Sequence, residues 1–134
     1  MGVHDEAVRL LTGAVAQRTA ITPLTDTIGA FDAAAGYEIQ DAVVKSRVAA
    51  GHQVVGAKLG LTSVAKQRQM NVDRPLYGWL TGDMQVDLGQ PLVCADYIQP
   101  RCEPEVAFLL ARDLEGAHIT ASHVLAATEA VFPA

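Results

Sequence analysis

The sequence predicts an α+β protein in which helices come first and short strands follow. Up to about residue 52, apolar side chains recur at the three- and four-residue spacing of an amphipathic helix. From about residue 53 onward they form short runs separated by glycine and proline, which is typical of strands joined by turns. Strands and helices do not alternate regularly, which disfavours a parallel βαβ fold.

The helical part, about residues 1–52, contains two predicted helices. The threonine-rich segment 19–27, which includes Pro23, separates them. The second helix is predicted from about Asp32 to Ala50, with Gly51 as its stop, because glycine readily adopts the backbone conformation that follows many helices. The first helix carries an apolar side formed by Ala7, Leu10, Leu11, Ala14 and Val15.

The lysine-motif and β part, about residues 53–134, begins with a predicted strand over 54–58. Ser63 has the side chain and the position of a helix N-cap, and the short helix after it is predicted to end near Asn71. Short strands are predicted around 77–80 and 84–88, each bounded by residues that favour turns.

The strongest strand signal covers residues 101–111. Residues 113–116 predict a turn, Thr120 a helix cap, and residues 121–131 a last helix. Because no repeat, low-complexity tract or linker interrupts the sequence, we expect a single domain over residues 1–134.

Composition and charge exclude several classes of function. The 134 residues are 50% hydrophobic with a formal net charge of -5, so nucleic acids and anionic membranes are not expected partners. No apolar run approaches the roughly 18 residues of a membrane span, and the first residues do not resemble a signal peptide. Cys94 and Cys102 form no metal or disulfide motif, which predicts reduced thiols in a cytoplasmic protein.

Glu103 and Glu105 are the first candidate functional residues. In a strand, side chains two residues apart share a face, so these carboxylates would lie side by side. Neighbouring carboxylates repel each other unless a cation lies between them, and a hard divalent metal is one such cation. Arg101, on the same predicted face, is another, so a solvated strand face with a surface ion pair is the alternative.

Lys58 is the second candidate, within the segment VGAKLGLTS of residues 55–63. Closely spaced glycines permit a ligand to approach the backbone, and apolar neighbours shield the ammonium group from water. The alternative is a surface lysine whose alkyl chain covers an edge strand while its charge stays in water.

Four segments in order resemble one enzyme family. They match its motifs AY-x-IQ, VG-x-K-x-GLTS, HP-[KR]-x-E-x-E-[IV]-x-F and the run that leads into P-x-x-E-x-x-DSR. The chain therefore resembles the 2-hydroxypentadienoate hydratase and 4-oxalocrotonate decarboxylase family of the fumarylacetoacetate hydrolase-like superfamily. The matching residues are 37–40, 54–63, 99–108 and 130–134.

The resemblance implies a fold, a cofactor and roles for individual residues. The fold would be N-terminal helices followed by part of a mixed β-roll. Mg²⁺ or Mn²⁺ would be the cofactor, with Glu103 and Glu105 as two of three metal carboxylates and Lys58 as the catalytic lysine. The third carboxylate would fall just beyond Ala134, and family chains are about twice as long. We therefore expect a truncated, N-terminal portion of such a chain.

The resemblance also implies a reaction. Hydratases of the family usually carry an aspartate after the proline that corresponds to Pro75, whereas Met70, Leu76 and Tyr77 agree with the decarboxylase pattern. The implied enzyme is a lyase that decarboxylates 2-oxo-3-hexenedioate (4-oxalocrotonate) to 2-hydroxypenta-2,4-dienoate in the meta-cleavage catabolism of aromatics. Met70 and Leu76 would contact the substrate.

Two alternatives stay open. The first is 2-hydroxypenta-2,4-dienoate (2-keto-4-pentenoate) hydratase, a hydro-lyase. The second is an inactive, truncated homologue that acts only as a binding partner. In either lyase reading the expected partners are a small unsaturated 2-oxo acid and further subunits, as a homo-oligomer or a complex with a sister hydratase or decarboxylase.

Overall fold

The computed structural model describes residues 2–134, which form two compact units. One unit ends at Gln99, and the other runs from Pro100 to Ala134. Each unit contains at least one helix and a two-stranded antiparallel sheet, which confirms the predicted α+β class. Within residues 2–134, no helix is both long and apolar enough to cross a membrane.

Three helices open the first unit: α1 (Val3–Gln17), α2 (Leu24–Ile28) and α3 (Ala33–Ala49). Helix α1 packs on α3. These two long helices confirm the two helices predicted for the first part of the sequence. The Asp32 side chain accepts the Ala35 N–H at 2.9 Å and so caps α3. The short helix α2 was not predicted. It begins after Pro23, whose fixed φ suits a helix start.

A hairpin whose two strands are joined by a connection that contains a helix follows α3 in this unit. Strand β1 (Val54–Gly60) pairs with β2 (Leu76–Thr81), and α4 (Val64–Gln69) lies between them in the sequence. The predicted cap is confirmed, because the Ser63 hydroxyl accepts the Lys66 N–H at 3.2 Å.

The strand predicted over 84–88 is wrong. Gly82–Met84 forms a single 3-10 turn, and the residues up to Asp87 have no regular structure. A strand needs a neighbour to receive its backbone hydrogen bonds, and the described residues provide none for this segment. Leu88 is consequently fully exposed.

The second unit contains β3 (Val106–Leu110), α5 (Ala121–Ala127) and β4 (Thr128–Pro133). The predicted Thr120 cap is confirmed, since its hydroxyl accepts the His123 N–H at 3.4 Å. Two boundaries were predicted wrongly. The strand expected over 101–111 begins only at Val106, and the helix expected over 121–131 ends at Ala127.

The end of that helix becomes a strand because β3 offers a pairing partner. Strand β4 pairs antiparallel with β3, with Phe108 opposite Val131 and Ala107 opposite Phe132. Val131 and Phe132 are β-branched and aromatic residues, which favour a pleated sheet over a helix. Glu129 lies at a register shift in this ladder, where β4 carries one extra residue.

Candidate active site

Lys58 lies on a hairpin face where three of the neighbouring positions are glycines. In the β1–β2 hairpin it is directly opposite Gly78. Paired residues project from the same face, as do residues two positions apart along one strand. Gly56, Gly60 and Gly78 therefore border Lys58 on its own face of the hairpin.

The space beside Lys58 is open along β1 and covered along β2. A Cβ atom built on Gly56 or Gly60 would meet no atom of the described residues within 4 Å. A Cβ atom on Gly78 would lie 3.3 Å from Oε1 of Gln40, which belongs to α3. A ligand can thus approach the backbone beside Lys58 from the β1 side.

Alanine at Gly60 should block this approach without disturbing the fold. Gly60 has no positive φ, so a methyl group adds neither strain nor a clash. We expect the Gly60→Ala variant to keep the melting temperature while the affinity falls for the 2-oxo acid that the sequence motifs imply as a ligand, as measured by calorimetry. Gly51→Ala is the control, because Gly51 lies outside the hairpin and its φ of 100° makes alanine costly for stability alone. Unchanged affinity in Gly60→Ala would show that ligands do not use this face.

Leu76 and Met70 are the two residues predicted to contact the substrate. The structure places Leu76 on the face of the β1–β2 hairpin that carries Lys58. Leu76 pairs with Gly60, two residues along β1 from Lys58, and it is 41% exposed. Leu76 also lines an open cleft of about 390 Å³, formed with Ala33, Tyr37 and residues 71–74. Met70 follows α4 and is 59% exposed, so its predicted contact with substrate stays a prediction.

Helix α3 is held along β2 by an aromatic contact that the sequence did not reveal. The ring of Tyr37 stacks on Tyr77 with centroids 4.5 Å apart, and its hydroxyl accepts the Tyr77 N–H at 3.4 Å. Trp79 meets the Tyr77 ring edge-on at 5.6 Å. The only sequence signal for this contact was the YEIQ motif, which places Tyr37 and Gln40 one turn apart on α3.

An ion-pair cluster lies at the end of the hairpin where β2 ends at Thr81. The Arg47 guanidinium contacts the Asp83 carboxylate and donates to the Thr81 hydroxyl at 3.3 Å. His52 Nδ1 lies 3.5 Å from the same carboxylate, and Thr81 is buried. The Thr81 hydroxyl, and then the charges of Arg47 and His52, lower the pKa of Asp83.

The cluster should make stability depend on pH. Because the folded pKa of Asp83 is lowered, its contribution is complete above the unfolded pKa and is lost as the pH falls through the folded one. We expect the melting temperature to fall from pH 7 to about pH 3 by more in the natural protein than in Asp83→Asn. Parallel curves for the two proteins would contradict this role.

The two candidate metal carboxylates precede β3. Both Glu103 and Glu105 are exposed. The Glu105 N–H donates to Ala134 O at 2.9 Å, and the Ala134 N–H donates to Glu105 O at 3.0 Å. The Glu105 backbone therefore extends the β3–β4 ladder by one pair. Glu103 lies before that pair, beyond Pro104, so the shared strand face expected for the two carboxylates stays a prediction.

Carboxylate oxygens are the donors that a hard divalent cation prefers. Among residues 2–134 no group of three or more histidine, cysteine, aspartate or glutamate side chains is arranged to hold a metal ion. Glu103 and Glu105 by themselves thus fit the chemistry of Mg²⁺ but supply only part of a coordination shell.

Comparison with known proteins gives one consistent likeness. No family model matches the chain. It is 38% identical over 133 residues to the TodF product hydratase of Pseudomonas putida strain F1, and 40% identical over 121 residues to a 2-hydroxypent-2,4-dienoate hydratase of Pseudomonas putida. These alignments cover 99% and 90% of this chain but 50% and 54% of the relatives. The chain thus spans about half the length of the curated relatives it matches.

Solved structures agree with the sequence comparison. The chain superimposes with a TM-score of 0.89 on 4-oxalocrotonate decarboxylase from Pseudomonas putida G7, complexed with magnesium and adipate. The two are 30% identical, and the match covers 98% of this chain and 49% of the decarboxylase. A second structure of that decarboxylase, with calcium and acetate, matches equally well. The likeness expected from the motifs is confirmed in both sequence and fold.

Proposed function

We propose that this chain, which resembles the 2-hydroxypentadienoate hydratases and 4-oxalocrotonate decarboxylases and fits the N-terminal half of these proteins, contributes to a metal-dependent lyase. The proposed reaction is decarboxylation of 2-oxo-3-hexenedioate to 2-hydroxypenta-2,4-dienoate. The position of Leu76 carries this choice. An apolar side chain shares the face of Lys58 at the position where hydratases of the family usually carry an aspartate.

Glu103 and Glu105 are the proposed metal ligands, because both provide exposed carboxylate oxygens. The relatives support a divalent cation, since the decarboxylase structures contain magnesium or calcium. When bound, Mg²⁺ or Mn²⁺ would supply Lewis-acid chemistry to the 2-oxo acid. The chain holds Glu105 in place through the two backbone hydrogen bonds to Ala134.

Lys58 is the proposed catalytic residue. In the reaction the bond to the distal carboxylate breaks, CO₂ leaves, and the electron pair moves through the alkene to the 2-oxo oxygen. The resulting dienolate carries negative charge, which the ammonium group of Lys58 stabilises. A proton from water then adds to that oxygen and gives the product. Leu76 and Met70 provide an apolar wall, which disfavours the charged carboxylate that is about to leave.

Hydration is the second candidate function, and sequence identity favours it. The curated relatives at 37–41% identity are hydratases, whereas the decarboxylase structure is 30% identical. A hydratase must handle protons at the far end of the diene, for which a carboxylate at position 76 would be useful. The leucine there is the reason why we place decarboxylation first. Either enzyme is expected to work as a homo-oligomer or with a sister subunit.

The deciding experiment supplies the full-length protein and Mg²⁺ with each substrate separately. We expect CO₂ release from 2-oxo-3-hexenedioate and slow loss of 2-hydroxypenta-2,4-dienoate. In Leu76→Asp, decarboxylation should fall because a negative charge then faces the dianionic substrate. Leu76→Asn is the matched control, since it has the same size without the charge. Hydration of the diene with no turnover of the diacid would reverse our assignment.

A further inference from the structure

Gln40 occupies an unusual position on the face of the hairpin that carries Lys58. It follows Tyr37 by one turn of α3, and its Oε1 lies 3.3 Å from the point where a Cβ atom on Gly78 would be. Gly78 is the partner of Lys58 across the hairpin, so that Cβ direction is also the direction in which Lys58 projects. The absence of a side chain at Gly78 is what leaves room for the Gln40 carboxamide.

The amide nitrogen of Gln40 is buried and has no hydrogen-bond partner among the described residues. A buried polar group without a partner lowers stability, because it has lost water and gained nothing in exchange. Packing alone does not explain this residue, since methionine would fill a similar volume without burying a donor. Gln67 shows the ordinary arrangement, in which Nε2 donates to the Leu61 carbonyl at 2.8 Å.

The chemistry of this amide indicates what completes the arrangement. The amide Nε2 is a donor, and what it lacks among the described residues is an acceptor. An anionic ligand on the face of Lys58 can supply that acceptor, and a 2-oxo acid has its carboxylate and oxo oxygens next to each other. We propose that Gln40 is a substrate-binding residue whose Nε2 donates, beside Lys58, to the anionic end of the 2-oxo acid. This inference rests on the proposed function above.

The test uses Gln40→Met and Gln40→Glu in the full-length protein, with 2-oxopentanoate and Mg²⁺ as the probe. Without ligand, Gln40→Met should melt at a higher temperature than the natural protein, because the buried donor is gone. Its dissociation constant for 2-oxopentanoate should rise about tenfold, the effect of one lost hydrogen bond to a charged group. Gln40→Glu should bind still more weakly, because an anion then replaces the donor. Calorimetry measures both quantities without catalysis.

Gln67→Met is the matched control. It removes an amide that already has a partner, so the melting temperature should fall and the affinity should not change. Natural protein that binds the probe while Gln40→Met binds it equally well would overturn the role of Gln40 and leave the proposed function intact. A melting temperature that falls in Gln40→Met as it does in Gln67→Met would overturn it too. Natural protein that fails to bind 2-oxopentanoate would overturn the proposed function, and the role of Gln40 with it.

Discussion

The Lys58→Met variant of the full-length enzyme is expected to lose about 10²–10³-fold in kcat, the usual effect of removing one preorganised donor to a developing negative charge. Methionine keeps most of the alkyl chain, and Lys58 pairs across the hairpin with a glycine, so the fold should be retained. KM should change less than kcat, because the charge on the 2-oxo oxygen is largest in the transition state. Steady-state rates of CO₂ release at saturating Mg²⁺ measure both constants.

Lys66→Met is the control for this prediction. Lys66 is an exposed residue of the neighbouring helix α4, and its side chain has no proposed role. The substitution removes the same charge from the same unit, so it reports any general electrostatic effect. Equal losses in the two variants, or full turnover in Lys58→Met, would remove Lys58 from the mechanism.

The 134-residue chain by itself is expected to bind Mg²⁺ weakly and to turn over little substrate. Two carboxylates leave most of an octahedral shell to water, and Mg²⁺ gives up its water reluctantly. Within residues 2–134 no third acidic, histidine or cysteine side chain joins them in a metal-binding group. Titration calorimetry with Mg²⁺ beside a decarboxylation assay checks this. Tight binding with full turnover would refute a site of three carboxylates.

The same chain should also be marginally stable or self-associating. Of the described residues, only Ala7, Ile39, Thr81 and Ala127 are buried, whereas Val106 and Leu125 are 65% and 67% exposed. At about 25 cal/mol per Å², a few uncovered apolar side chains correspond to several kcal/mol, which is comparable to the stability of a small domain. Sedimentation over a concentration series should show association. A stable monomer would contradict this prediction, because the exposed apolar side chains would then need no partner.

Local signals predicted the two long helices and two helix caps correctly. Helical spacing gave α1 and α3, and the hydroxyls of Ser63 and Thr120 marked two helix starts, because capping depends on neighbours within three residues. The errors lie where a distant segment decides the structure. Residues 128–131 were predicted as the end of a helix, but they belong to β4, which pairs with β3 earlier in the chain.

The candidate site was predictable only to the extent that it lies in one stretch of sequence. Lys58 and its flanking glycines could be recognised together, since they are neighbours in the chain. The contacts of Tyr37 and Gln40 with strand β2 could not be predicted, because they depend on the register of β2 and on how α3 packs along it. Spacing within a motif does not contain that information.

The junction at which α5 runs directly into β4 limits how this part of the protein can change in length. Ala127 is the last helical residue and Thr128 the first of the strand, so no loop exists to absorb an added residue. One inserted residue would either turn the helix by about 100° or move β4 by one position against β3. A shift of one position exchanges the two faces of the strand and replaces the partner of Glu105. Insertions and deletions should therefore be tolerated in the segment 111–119 but not at this junction.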